Sequence, residues 1–409
     1  MSVSKDPSAS IVFSTYKKNP SISIVIPTYN EIEKIEEVVN SFLASKYPNL
    51  LEIVVVDGKS TDGTKDRLQQ LAITYPQVKV VENPQRIQSA ALNIGLQACS
   101  GEFFLRADAH CDYAADYIEQ CVAAFQKSEA LNVGGCQRFV AKEPFQAAIA
   151  IAAQSWLGNG GAKYRDPNYS GYADTVYLGC FKRQALLELN ALPSGTLGVL
   201  KEDAGKPLHA AQAFVAPHME HAPYGSAFAP TQDVFDTTQV TNQDAELNQR
   251  LLDLDPKAIY ISSKIKVWYY PRKTWKSLWT QYFKYGRGRY LTNSKHPERS
   301  QIRGKLPFLF LSTIILLLIV DIFVPTINLY MVEICIFGIM LAFLESLRVN
   351  LSLRKSFASK IWRGHPRKRP SFLSRWFYCG IVILTMPTAH FSGYGFQAFK
   401  NRILAIKGW

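Results

Sequence analysis

Residues 22–64 read ISIVIPTYNEIEKIEEVVNSFLASKYPNLLEIVVVDGKSTDGT. ISIVIP (22–27) and LEIVVV (51–56) are short, β-branched apolar runs, each followed by a polar turn and a helical pattern, the signature of β-α-β units. Between the runs, Ile35, Val38, Val39 and Phe42 recur at helical spacing. After the second run, DGKSTDGT supplies turn and N-cap residues before KDRLQQLAITY continues as helix. VKVVEN (78–83) then leads into the helix QSAALNIGLQA (88–98), and EFFLRADAH (102–110) closes a fourth strand. The expectation is an α/β fold around a mostly parallel open sheet, with ligands gathered at the carboxyl ends of its strands. Asp57 and Asp108 each sit just past such an end.

Farther along, residues 131–140 and 172–181 read as strands, the cluster Gly158, Gly160 and Gly161 as a loop, 244–254 as a helix, and 258–262 as a closing strand. Residues 191–242 form a Pro-, Ala- and Gly-rich insertion with little periodicity, as in a lid or binding loop. Trp275, Leu278, Trp279, Tyr282 and Phe283 share one helical face, interspersed with Lys273, Lys276, Lys284 and Arg287. Standing just before an apolar run, this basic amphipathic helix is expected to lie in lipid headgroups; the plainer reading is a helix packed on the core.

The rear of the 409-residue chain is apolar, which the mean hydropathy of −0.05 conceals. LPFLFLSTIILLLIV opens the first candidate span, followed by a turn at 325–328, a second span holding Glu333 and Glu345, and a third stretch, 377–390, that is short, ends in FSGYGF and reads as a span or a re-entrant segment. The net charge of +13 is concentrated. Residues 263–305 hold twelve Lys or Arg against the single acid Glu298, and residues 351–375 hold eight against none. Both blocks flank the apolar stretches, so by the positive-inside rule they belong to the cytoplasmic side, with lipid headgroups rather than nucleic acid as their partner. Seven cysteines without a C-x-x-C fit a reducing cytosol better than a disulfide framework or zinc site. The start, MSVSKDPSASIVF, has no apolar secretory core, so the front half is expected to stay in the cytoplasm. The divisions are an N-terminal extension (1–20), an α/β domain (21–265) containing the insertion 191–242, an interfacial helix region (266–304), and a multi-pass cell-membrane domain (305–409). Its spans are expected at about 306–324, 329–347 and 376–396.

Two carboxylates at the carboxyl edge of an α/β sheet, in a domain tied to a membrane, suit a phosphorylated small molecule and a lipid-borne partner. Six motifs sharpen this: PTYNE (27–31), VVDGKSTDGT (55–64), Asn93-x-Gly95, RADAH (106–110), NQDAELNQRL (242–251) and QYFKYG (281–286). In order and spacing they resemble family 2 glycosyltransferases across residues 22 to 290. DTVYLGCF and VWYYPRKTW also look like the membrane-attached, succinoglycan-type glucosyltransferases of exopolysaccharide assembly.

The resemblance implies a GT-A fold (Rossmann-like) and single-displacement inverting transfer from a UDP-sugar, UDP-glucose foremost, to a polyprenyl-diphosphate-linked saccharide. Asp57 matches the uracil-binding acid, while Pro27, Thr28, Tyr29 and Glu31 line the nucleotide cleft, with Arg106 and Asp108 at the diphosphate. A departing diphosphate gathers negative charge, which a hard divalent cation, Mg²⁺ or Mn²⁺, offsets. The family's Asp-x-Asp is Asp108-Ala109-His110 here, so beside Asp108 the second metal ligand is either the His110 imidazole or absent, and nitrogen tilts the preference slightly toward Mn²⁺. Asp62-Gly63 reads as a turn and helix start. An acceptor hydroxyl needs a base, and the motif match gives Asp244, with Asp203 in the insertion as its rival and no role assigned to His218 or His221. Gln281 and Lys284 stand where processive relatives have Gln-x-x-Arg-Trp; with Lys284 and Tyr285 replacing the last two, the bidentate fork is lost. The alternatives are a processive β-glycan synthase and a noncatalytic nucleotide-sugar-binding partner of an export complex.

Overall fold

The computed structural model describes residues 18–191, 233–297, 302–324 and 330–409. The N-terminal extension up to residue 17, most of the 191–242 insertion with Asp203, His218 and His221, and the turn at 325–328 lie outside the described residues.

The chain begins as strictly alternating strand and helix: β1 (Ile22–Thr28), α1 (Ile35–Leu43), β2 (Leu50–Asp57), α2 (Thr64–Thr74), β3 (Val78–Glu82), α3 (Gln88–Ala98) and β4 (Phe103–Arg106). Then follow β5 (Cys111–Tyr113), α4 (Tyr117–Lys127), β6 (Asn132–Phe139), α5 (Pro144–Ala152), α6 (Trp156–Asn159), β7 (Gly171–Tyr172), β8 (Tyr177–Lys182) and α7 (Arg183–Ala191). After the insertion come α8 (Gln243–Leu254), β9 (Ile259–Tyr269), α9 (Trp275–Lys295), α10 (Ile302–Phe323), α11 (Met331–Ser352), the single turn α12 (Phe357–Lys360) and α13 (Phe372–Arg402). The strands form one sheet in the order β3-β2-β1-β4-β8-β6-β9-β5, with β7 also on β9. It is mostly parallel by paired length, through β3–β2–β1–β4 and β6–β9, while β8, β5 and β7 run antiparallel to their neighbours.

β1 is central, and its side chains divide with the period of two that a strand imposes. Ile22, Ile24 and Ile26 join α1, α2 and α4 in one cluster, whereas Val25 joins Val54, Val56, α3 and α8 in the other. Gly95 of the Asn-x-Gly motif explains itself here: a Cβ would lie 2.3 Å from Val25 Cγ1, so glycine lets α3 sit close on β1. Asn93 clasps the backbone of Phe235, donating to its carbonyl at 2.8 Å and accepting from its N–H at 2.9 Å.

Three expectations change. The closing strand runs on to Tyr269, so residues 266–269 are strand rather than part of the helix region; Ile265, Val267 and Tyr269 are buried while Lys264 and Lys266 turn outward. The expected 172–181 strand divides into β7 and β8. The third apolar stretch is one helix of 31 residues: FSGYGF does not end it, because Gly393 meets the Phe283 carbonyl and Gly380 the Phe343 ring.

The aromatic face of α9 is largely covered by α13. Phe283 packs on Phe396, Trp275 Nε1 donates to Thr385 Oγ1 at 3.0 Å, and Gly286 lies where a Cβ would be 2.0 Å from the His390 carbonyl oxygen. An aromatic stripe is stabilised by another helix as well as by lipid, so sequence periodicity does not choose between them. α5 is buried from Gln146 to Ala152 against Leu278, Val349, Leu353 and Met386. Among the described helices, α13 is long and apolar enough to cross a membrane, and α10 holds a shorter apolar part, Phe308–Phe323. All seven cysteines are free.

Candidate active site

The carboxyl edge of β1 and β2 is built by two loops that staple each other. Asn30 N–H donates to Ser60 Oγ at 2.8 Å, Thr61 N–H to Asn30 Oδ1 at 2.9 Å, Glu31 N–H to Thr64 Oγ1 at 2.9 Å, and Ile32 N–H to Asp62 Oδ2 at 3.2 Å. Asn30 takes a φ of 54°, a left-handed conformation that asparagine tolerates. PTYNE and DGKSTDGT are thus halves of one structure. Asp62 also accepts from Thr64 N–H at 3.1 Å and so opens α2. Thr28 and Asp57 are register partners at the ends of β1 and β2, and Tyr29 is exposed beside them. Asp57 is buried, and its carboxylate accepts from Ser60 N–H at 3.1 Å and Ser60 Oγ at 2.6 Å. A carboxylate has about four acceptor positions, so a ligand could still bond to it.

On the other side of β1, Val25 is in register with Arg106, and Ala107 N–H carries the pairing on to the Val25 carbonyl at 2.9 Å. The chain then turns through Asp108, Ala109 and His110 into β5. Tyr113 clasps the turn: its hydroxyl accepts from Asp108 N–H at 2.6 Å and donates to the Asp108 carbonyl at 3.1 Å.

Arg106 is buried and forks between two acids. One terminal nitrogen pairs with Asp244 Oδ1, and the other stands 3.4 Å from Asp108 Oδ1. Burial works against its charge, yet the two carboxylates outweigh that and hold the guanidinium above its ordinary pKa. Asp244 reaches this point from the first turn of α8, which starts after Asn242 at a φ of 66°. The neighbouring Gln243 donates to Gln88 Oε1 at 2.6 Å, and Gln88 Nε2 donates to Asp108 Oδ1 at 3.4 Å. Asp244, Arg106, Asp108, Gln88 and Gln243 therefore close a ring that joins α8, β4 and α3.

His110 is half-buried, its Nδ1 3.4 Å from Glu31 Oε1. Burial opposes the charged imidazole, but the bond to Glu31 and the nearby Asp108 carboxylate prevail, raising its pKa above the usual histidine value. Tyr269, at the end of β9, lies 5.7 Å from the His110 ring, centroid to centroid, and accepts from Gln281 Nε2 at 3.2 Å; that amide also reaches Tyr285 Oη at 2.8 Å. Burial raises the Tyr113, Tyr269 and Tyr285 phenols, which leaves them hydrogen-bonding groups rather than bases. Lys284 is exposed; it is its backbone carbonyl that touches the site's framework, accepting from Thr241 Oγ1 at 2.8 Å.

Asp108 and Asp244 thus meet on one arginine, Glu31 and His110 stand beside them, and Gln281 joins through Tyr269. Asp57 and Thr28 share the same sheet edge, with Asp57 two strands over from Arg106, about 10 Å across the sheet, and three residues, about another 10 Å, farther along it. Among the described residues no three His, Cys, Asp or Glu side chains form a metal cage. Asp108, with His110 two residues on, offers a hard cation one carboxylate and one imidazole, a sparse pair suited to an ion that takes most of its oxygens from a phosphate, while Glu31 is engaged with the imidazole. Gln88 carries no motif weight in sequence, and Gln243 stands inside NQDAELNQRL, where the family often has Glu. A clue to Gln88 was its place at the first turn of a helix following a parallel strand, a position that faces the carboxyl edge.

Residues 23–187 match the family described as Glycosyl transferase family 2. The succinoglycan biosynthesis protein ExoA of Rhizobium meliloti (strain 1021) is 32% identical over 275 residues, 67% of this chain and 70% of that protein. The dolichyl N-acetyl-alpha-D-glucosaminyl phosphate 3-beta-D-2,3-diacetamido-2,3-dideoxy-beta-D-glucuronosyltransferase of Methanococcus voltae is 26% identical over 259 residues, 62% of this chain and 67% of its own. Among solved structures, the mannosyltransferase PcManGT from Pyrobaculum calidifontis, in complex with GDP-Man and Mn2+, is similar at 17% identity and a TM-score of 0.43, covering 94% of this chain and 88% of that one.

Proposed function

The chain belongs to glycosyltransferase family 2, a hexosyltransferase with a GT-A-like α/β fold related to enzymes of exopolysaccharide and glycan biosynthesis, and from that premise we propose a membrane-anchored, inverting enzyme. It transfers a sugar from a UDP-sugar, UDP-glucose foremost, to a polyprenyl-diphosphate-linked saccharide at the cytoplasmic face of the cell membrane. The observation that carries this reading is the fork of Arg106 between Asp108 and Asp244. It joins the acid assigned to the donor diphosphate to the acid assigned to the acceptor.

Pro27, Thr28, Tyr29 and Asp57 take the nucleoside end of the donor, with Asp57 accepting from the uracil N–H. The diphosphate then runs across β1 toward Arg106, with Gln281 and Lys284 on the α9 side. Asp108 and His110 would hold a divalent cation, Mg²⁺ or Mn²⁺, which would supply positive charge against the leaving diphosphate. Asp244 Oδ takes the proton of the acceptor hydroxyl as its oxygen bonds to the anomeric carbon. The bond from that carbon to the diphosphate breaks on the opposite face, UDP departs with the electron pair, and the configuration inverts. Arg106 fixes the position of Asp244 for this step and lies within reach of the charge that develops on the phosphates.

Anchoring is supported by rows of exposed apolar side chains on α10 and α11, among them Phe310, Leu316, Ile322, Ile334, Phe337 and Met340. Such rows are unfavourable in water and favourable in a bilayer. With α13 they make a multi-pass anchor. The Methanococcus voltae relative is named for a dolichyl-linked sugar phosphate, which supports a lipid-linked acceptor.

The test is transfer from radiolabelled UDP-glucose to a polyprenyl-diphosphate saccharide by the full chain in nanodiscs. One sugar should be added per acceptor. Asp244→Asn should bind UDP as before and lose transfer by about 10²–10⁴-fold. Undiminished transfer by that variant would remove Asp244 as the base.

A further inference from the structure

The exposed pair Trp156–Leu157 lies at a height on the molecule that gives it meaning. α6 follows directly from the buried α5 and is capped by Ser155 Oγ, which accepts from Gly158 N–H at 2.8 Å. Its first side chains face outward, Trp156 at 75% and Leu157 at 63% exposure. The segment is nevertheless held to α11: Trp156 N–H donates to Glu345 Oε1 at 2.9 Å, and the Arg348 guanidinium lies 4.2 Å above the indole. Arg348 in turn grips Glu345 through bonds of 2.6 and 2.8 Å.

At this turn of α11 the charged pair Glu345–Arg348 interrupts the apolar run of the helix. Before Glu345, Leu341 and Leu344 are exposed apolar residues; after it, Ser346, Val349 and Asn350 are buried, and Leu351 is again exposed. α13 reaches the same height, since Trp376 and Phe377 pack on Phe343, and it too shows exposed apolar residues there, Leu373 and Phe377. The basic block 351–375 runs from the end of α11 into the start of α13.

Resting on the membrane-anchored reading, we infer that Trp156 and Leu157 are a foot of the catalytic domain inserted at the cytoplasmic headgroup boundary, the occupant of this surface being the lipid bilayer. Tryptophan is favoured at that depth, with its ring in the boundary and its N–H among polar groups. Arg348 extends its charge to the same level while its stem stays in apolar surroundings. The foot joins the catalytic domain, through α5, to α11 at one level, so it helps to set the height of the cleft.

The chain, labelled with fluorotryptophan and held in nanodiscs of zwitterionic and anionic lipid, gives one fluorine resonance for each of its seven tryptophans. The one missing in Trp156→Phe identifies Trp156. A lipid carrying a nitroxide just below the headgroup should broaden that resonance until most of its intensity is lost, and a water-soluble gadolinium chelate should leave it. If the chain stays with the nanodisc but only the chelate broadens Trp156, the foot is overturned and the anchor stands. A resonance reached by neither agent means that protein covers the site, which also overturns the inference. If the chain does not remain with lipid at all, the anchored reading fails and the foot with it.

Discussion

Arg106→Lys tests the reading of the site most directly, because it keeps the charge and removes the fork. The guanidinium reaches Asp244 with one nitrogen and stands 3.4 Å from Asp108 with the other. At an effective dielectric of about 20, a charge pair at that distance attracts by about 5 kcal/mol before desolvation is subtracted. An ammonium is a single point on a flexible stem and can hold only one of the two acids. Losing one charge-assisted hydrogen bond costs about 1.5–3 kcal/mol net. Asp244, at 42% exposure, belongs at the low end of that range and Asp108, at 12%, at the high end. If the lost interaction is one that the transition state uses, kcat/KM falls by about 10- to 150-fold. The assay is sugar transfer in nanodiscs at varied UDP-glucose, alongside a melting curve. The expected pattern is a large loss in kcat/KM with a smaller loss in Tm, and a double variant with Asp244→Asn scarcely worse than the worse single one. If Arg106→Lys stays within about twofold of the parent, or its loss adds fully to that of Asp244→Asn, the two residues do not act as a unit and the reasoning fails.

Gly286→Ala should destabilise the chain by about 1–3 kcal/mol, since its Cβ would press on the His390 carbonyl. Gly338→Ala, with nothing within 4 Å, should be neutral or mildly stabilising; equal Tm values for the two would refute the close α9–α13 packing. EDTA should abolish transfer and added Mn²⁺ or Mg²⁺ restore it, while full activity in EDTA would remove the ligand role of Asp108 and His110. Stability should fall in acid. Burial raises the Glu52 pKa, but Lys79, Ser23 and Ser100 outweigh it, so the folded value lies below 4.5. The unfolded chain then binds protons first, and Glu52's contribution, complete above that value, is lost as pH descends through the lowered one. Urea midpoints should drop below about pH 4.5, and less steeply in Glu52→Gln; parallel curves would show that Glu52 is not responsible.

The β1-to-β4 half was legible because each of its runs is apolar, short and bounded by turn residues, and because PTYNE and DGKSTDGT carry the side chains that bind each other's backbone. α5 was not: PFQAAIAIA is buried from Gln146 onward, so it shows no polar face from which to read a period. The glycines of FSGYGF looked like helix breakers because sequence alone does not show a partner helix arriving at Gly393. The meeting of Asp108 and Asp244 lies beyond sequence as well, since the residues are 136 positions apart and the motif match gives Arg106, which joins them, only a place at the diphosphate.

The burial of α5 limits how the molecule can be taken apart. Ala147, Ile149 and Ile151 belong to the globular half, yet Val349, Leu353 and Met386, which cover them, come from the far end of the chain. Cutting before residue 302 would strip that cover and bare an oily ridge, so a shortened, water-soluble version is expected to clump rather than catalyse. Work on the chemistry therefore needs the whole polypeptide in detergent or lipid.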